Sequence, residues 1–158
     1  MSENTEITLV SSEDKQFKIA EKAAVRSKLL QGILTDYDKK EVPLKEIDSE
    51  TLETIIKYLE HYVNGEPKEI PKPLQHRDLS KILDPWDYDF ISKISIDNSI
   101  KLVNAANYMD IGPLLHLSCC RIASEMVDRP VEEVRKLFEI ENDMTEEEMK
   151  EIDQYPLD

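Results

Sequence analysis

Asn104-Ala-Ala-Asn-Tyr-Met-Asp-Ile-Gly-Pro-Leu-Leu115 joins two helical segments that carry more apolar surface than one small core needs. Projected at about 100° per residue, Leu115, Cys119, Ile122 and Met126 fall on one stripe. Cys120, Ala123 and Val127 continue the apolar arc, and Ser118, Arg121, Glu125 and Asp128 take the remaining surface. A surface helix needs only one apolar stripe. The wider arc predicts a helix that packs on its own protein with one side and on a partner with the other. On periodicity alone, an ordinary helix buried in an α-rich core is the simpler reading.

Working outward, Asp97 is placed to cap the helix that runs through Met109, and Gly112-Pro113 punctuates the chain, with Pro113 suited to a first helical turn. Upstream, Trp86 to Ile91 is an apolar stretch, with Trp86 as its anchor. Before it, residues 64–85 hold Pro67, Pro71, Pro73 and Pro85 among charges, a composition that opposes helix and predicts a long mobile loop. Leu52, Ile55, Ile56, Leu59 and Val63 form a helical stripe, with Asp48 or Ser49 as cap and Gly65 as the stop. Ile7-Thr-Leu-Val and Gln16-Phe-Lys-Ile flank the polar turn at residues 11–15, which reads as a hairpin. Val42-Pro-Leu is a third short strand, its proline suited to an edge. Residues 20–25 and 27–34 read as short helices, the second capped by Ser27. Downstream, Pro130 opens a helix with Val131, Val134 and Phe138 on one stripe. Thr145 and Glu148 have capping-box spacing, and Pro156 stops the last helix.

The chain has 158 residues, enough for one domain with an extension. Its formal charge of −14 argues against nucleic acid and against an anionic membrane surface, both of which need clustered Lys and Arg. No apolar run approaches the roughly 20 residues of a membrane span. Cys119 and Cys120 are adjacent on a helix, so their side chains diverge and no disulfide joins them. The polar, acidic start and the absence of a disulfide framework predict the cytoplasm and nucleus.

Catalytic chemistry has little support. His61, His76 and His116 lie in different segments, none with zinc-ligand spacing to the cysteines. Cys119 and Cys120 read as small hydrophobes, and a cysteine-dependent enzyme would need a depressed thiol pKa. Glu146 to Glu148 are acids at a helix start, where the macrodipole favours them. No catalytic residue, metal or cofactor is expected.

Several segments taken in order carry more information than any one of them. They are Val42-Pro-Leu, Trp86-Asp-Tyr-Asp-Phe, Ala105-Ala-Asn-Tyr-Met-Asp-Ile and Pro113-Leu-Leu, then Pro130-Val-Glu-Glu-Val-Arg-Lys-Leu-Phe-Glu-Ile and Asn142-Asp-Met-Thr-Glu-Glu-Glu. Across nearly the whole chain they resemble the S-phase-kinase-associated adaptor family, the linker subunits of SCF ubiquitin ligases. The resemblance implies an α+β architecture: a BTB/POZ fold over residues 1–112 and an F-box-binding helical region over 113–158. It implies a non-catalytic adaptor that bridges a cullin to F-box proteins. By this likeness Ile100, Val103, Leu115, Cys119, Ile122 and Met126 line the F-box surface, extended by Val134, Phe138 and Ile140. Asn107 and Tyr108 match the family's cullin-contacting pair. A homodimer is expected when no F-box is bound, because an empty apolar face self-associates.

The chain departs from the family in three places. The last helix ends early at Asp153-Gln-Tyr-Pro-Leu-Asp, where relatives carry Gln-Trp. Glu146 stands where some relatives have a modified proline, and the acidic insert is reduced to Thr35-Asp-Tyr-Asp-Lys-Lys-Glu. The altered end leaves a second reading open: a divergent adaptor in a kinetochore or cytoskeletal assembly, or one like elongin C.

Overall fold

The computed structural model describes residues 5–36 and 40–155. Pro156 and the middle of the acidic insert lie outside them. The chain divides into two compact units, Met1–Val127 and Asp128–Asp158.

The first unit begins with the hairpin. Strand β1 (Glu6–Val10) alternates so that Ile7 and Leu9 are buried, and it pairs antiparallel with β2 (Gln16–Ala20), Leu9 opposite Phe17. Asp14 turns the chain at φ 61, and the buried Ser11 hydroxyl meets that of Ser49 at 2.8 Å. Strand β3 (Glu41–Pro43) pairs parallel with β1, giving the order β2-β1-β3. As expected, β3 is an edge, and the missing N–H of Pro43 breaks no ladder. Helices α1 (Glu21–Ala24) and α2 (Lys28–Asp36) lie in the connection that a parallel pair requires.

Helix α3 (Ser49–His61) buries Leu52, Ile55, Ile56 and Leu59 as its periodicity predicts. Of the two candidate caps, Asp48 is the one used, accepting the Thr51 N–H at 2.8 Å. That bond holds its carboxyl below the usual carboxylate range. Gly65 does not stop the helix in a left-handed conformation, since no described glycine has positive φ. Asp14, Asp110, Asp128 and Glu139 occupy those positions instead.

The proline-rich stretch after α3 is less featureless than its composition suggests. Leu79 and Leu83 are buried, and residues Leu79–Lys81 form a 3₁₀ turn capped by Asp78. Arg26 reaches across to Glu66 at 2.7 Å and to the Gly65 carbonyl at 2.9 Å. Helix α4 (Pro85–Ser92) then docks on α3 through aromatic rings. Trp86 stacks on His61 at 3.6 Å and on Phe90 at 5.0 Å, which gives Trp86 its anchoring role. Beneath them, Tyr62 donates a 2.6 Å hydrogen bond to the buried carboxylate of Asp87.

Helix α5 (Ile96–Tyr108) is capped by Ser95, which accepts the Asn98 N–H, while the expected cap Asp97 sits inside the first turn. Helix α6 (Gly112–Ser124) opens with Pro113 in its first turn and packs along α5.

The second unit holds α7 (Val131–Leu137) and α8 (Glu146–Asp153). The Thr145–Glu148 capping box is present in both directions, at 3.2 and 2.8 Å. Arg135 ties the unit together locally through Glu132 and the Met144 sulfur.

Candidate functional site

Helix α6 has two apolar faces, and the structure separates them. Leu114, Leu117, Ser118, Cys120 and Ser124 are buried. Leu115 and Ile122 are half-buried, Cys119 is exposed and Met126 is 43% exposed. The stripe predicted from periodicity is therefore the outward face, and the core face lies on the far side of the helix. The sequence pattern puts Ser118 on the polar surface, and the structure buries both it and Ser124. They are buried because their hydroxyls donate to the Leu114 and Arg121 carbonyls of their own helix, each at 2.7 Å. Leu114 and Leu117, which the sequence stripe did not include, supply the inner contact.

Helix α5 shows a similar division. Its buried side is Ser99, Leu102, Ala105 and Ala106. Ile100 is 40% exposed and Val103 half-buried. Asn107 is exposed, and helical geometry puts it one and two turns along the same face as these two. Tyr108, 46% exposed, points about 100° away. It lines a shallow cleft of about 540 Å³ with Glu46, Asp48, Lys101 and Asn104, a cleft that Asn107 does not line. The adjacent Asn–Tyr pair thus belongs to two faces of one helix end.

In the second unit, no described residue between Asp128 and Tyr155 is buried. Val134 and Phe138 are half-buried and Ile140 is 57% exposed. Val131, Leu137, Met149, Ile152 and Tyr155 are exposed as well, although they were not among the predicted contact residues.

The chemistry of these faces is that of packing. Burial, and then the neighbouring Cys119, push the Cys120 thiol up to about 11, away from a nucleophilic thiolate. Among the described residues no group of three or more His, Cys, Asp or Glu could hold a metal ion. No described helix is long and apolar enough to cross a membrane.

Comparison with known proteins places this geometry. Residues 5–64 match the family model described as Skp1 family, tetramerisation domain, and residues 112–154 match Skp1 family, dimerisation domain. The S-phase kinase-associated protein 1 homolog of Tetrahymena thermophila is 34% identical over 150 residues, which span 94% of this chain and 90% of that protein. The chain belongs to the Skp1 family.

SKP1-like protein 18 of Arabidopsis thaliana is 35% identical, with 96% of this chain and 94% of that protein aligned. SCF ubiquitin ligase complex protein SKP1a of Dictyostelium discoideum is 32% identical, with 92% and 90% aligned. The first match covers the three-stranded sheet and α3 of the Skp1-family chain, which is its α+β POZ part. The second begins at Gly112, where α6 begins, whereas the compact units divide later, at Val127. Helix α6 thus belongs by packing to the first unit and by family pattern to the second.

Proposed function

We propose that this chain is the adaptor of an SCF-type ubiquitin ligase, holding an F-box receptor and a cullin on separate faces. The observation that carries the proposal is the outward apolar stripe of α6, left open after the inward face has completed the core. Ile100, Val103, Leu115, Cys119, Ile122 and Met126 on the first unit receive the F-box, and so do Val134, Phe138 and Ile140 on the second. An amphipathic helix laid on such a face is held by a few apolar anchors. Each fully buried Leu- or Phe-sized side chain contributes roughly 1.5–3 kcal/mol. Association itself costs about 4–15 kcal/mol, so several anchors are needed and the loss of one is felt. The cullin takes the Tyr108 face, with Asn107 at its margin. The adaptor supplies no catalytic group, cofactor or metal of its own.

A titration of an F-box segment into the purified chain tests the first half. Phe138→Asp removes binding and Met126→Asp weakens it at least about tenfold, since each places a carboxylate where an apolar group is buried. Unchanged affinity in both variants refutes the assignment. For the second half, Tyr108→Ala lowers affinity for a cullin N-terminal domain and leaves F-box affinity intact. Without an F-box the same apolar surfaces pair two copies of the chain, which sedimentation across concentration reads directly. The reading places the complex in cytoplasm and nucleus, to be checked by imaging the tagged chain.

A further inference from the structure

Helix α5 ends in a Schellman motif. The Ile111 N–H bonds the Ala106 carbonyl at 2.9 Å and the Asp110 N–H bonds that of Asn107 at 3.2 Å, with Asp110 left-handed at φ 51. This closure leaves the carbonyls of Met109 and Asp110 pointing out of the helix end. They are met by the start of α2. The Leu29 and Lys28 N–H groups donate to Met109 and Asp110, each at 3.3 Å. Ser27 completes the joint: its hydroxyl donates to the Met109 carbonyl at 2.5 Å and accepts the Leu30 N–H at 3.3 Å. Ser27 has no exposed surface, and neither has Met109. Donors unused at one helix start thus satisfy acceptors unused at another helix end, and the two macrodipoles attract across the contact.

Asn107 and Tyr108 are the two residues before this joint, on the last turn of α5. A last turn frays unless its carbonyls are held, and a frayed turn cannot present a side chain in one direction. We propose that Ser27 is a positioning residue for the Tyr108 face: its hydroxyl holds the end of α5 so that Tyr108 meets its partner pre-set. This rests on the cullin assignment above for the identity of the partner, but not for the joint itself.

Two measurements on the full chain test it. In Ser27→Ala, amide hydrogen exchange speeds up at residues 107–111 while residues 99–103 of the same helix stay protected. Affinity for the cullin N-terminal domain falls about five- to tenfold, the scale of one lost buried hydrogen bond. F-box affinity, measured on the same sample, stays within about twofold, which a general loss of stability would not allow. Ser27→Thr keeps the hydroxyl and recovers most of the cullin affinity. Unchanged exchange at 107–111 overturns the inference whatever the cullin result, and so does equal loss of both affinities. If Tyr108→Ala binds the cullin like the unaltered chain, the cullin assignment fails, and the positioning role fails with it even if the exchange pattern holds.

Discussion

Tyr62→Phe is the sharpest test of how α4 is held. The ring of Tyr62 lies 4.9 Å from that of Tyr58 and 5.7 Å from Trp86, and Phe keeps both contacts. Only the hydroxyl is lost, and with it the 2.6 Å bond to Asp87, which is 4% exposed. Burial raises the Asp87 carboxyl above its usual range, against the lowering effect of the Tyr62 bond, and nearby Asp84 raises it further. Burial and then the Asp87 bond raise the Tyr62 phenol too, so it remains a donor throughout the working range. Hydrogen bonds to charged groups contribute about 1.5–3 kcal/mol, and a buried charge left alone exacts its full desolvation penalty. Tyr62→Phe should therefore cost about 1.5–3 kcal/mol at pH 8, or roughly 3–12 °C in Tm for a chain of this size. The sign with pH follows from the raised carboxyl. A protonated Asp87 needs the bond less, so the deficit of the variant is full where Asp87 is ionised and shrinks as pH falls through its raised pKa. Asp87→Asn keeps an acceptor without the charge. In that background Tyr62→Phe should cost only about 0.5–1.5 kcal/mol, and the difference is the coupling. Urea unfolding of the four proteins from pH 8 down through the Asp87 titration measures it. A Tyr62→Phe cost that ignores both pH and Asp87→Asn would refute the reasoning.

Asp48→Ala removes the α3 cap and should cost about 0.5–2 kcal/mol by urea unfolding. The Asp48 carboxyl is lowered, so its contribution is present above the unfolded pKa and is lost as pH falls through the folded one. Glu139→Gly relieves a left-handed residue at φ 53 beyond α7 and should slow amide exchange in α7 by a factor of about 2–5, reflecting roughly 0.5–1 kcal/mol. Alkylation should label exposed Cys119 in the folded chain, while Cys120, buried and raised to about 11, reacts only on unfolding. Equal labelling of both in the folded chain would contradict the burial.

The hairpin, α3 and the α8 capping box were legible because each is a local pattern: alternation, a 3.6-residue period, a three-residue spacing. The double-sided character of α6 was legible too, but not which side faces inward. Ser118 and Ser124 look polar in a projection and become burial-compatible only by bonding their own helix. The end of α3 differs from the Gly65 stop that the sequence suggests, because the helix closes at His61 with Tyr62 as its C-cap at φ −92 and no left-handed residue is needed there. The bonds from Tyr62 to Asp87 and from Ser27 to Met109 join residues 25 and 82 apart, and no sequence period reports such pairs. Asn107 and Tyr108 read as a pair only in sequence. Adjacent residues on a helix diverge, and the cleft at Tyr108 excludes Asn107.

Where the core stops along the chain gives the strongest physical case for an adaptor. Among the described residues the last buried apolar one is Cys120. Beyond it the chain still carries Met126, Val131, Leu137, Ile140, Met149 and Ile152, all exposed. The exposed parts of such side chains contribute nothing to the isolated fold and promote aggregation unless something opposes it. The formal charge of −14 supplies the opposition, since repulsion between copies weakens the association of a strongly acidic chain. The same acidity lets salt tune self-association, because screening at higher ionic strength weakens the repulsion and leaves the apolar attraction intact. Charge and uncovered apolar surface are therefore complementary parts of one arrangement, in which acidity offsets the self-association that faces left open by the core would otherwise drive.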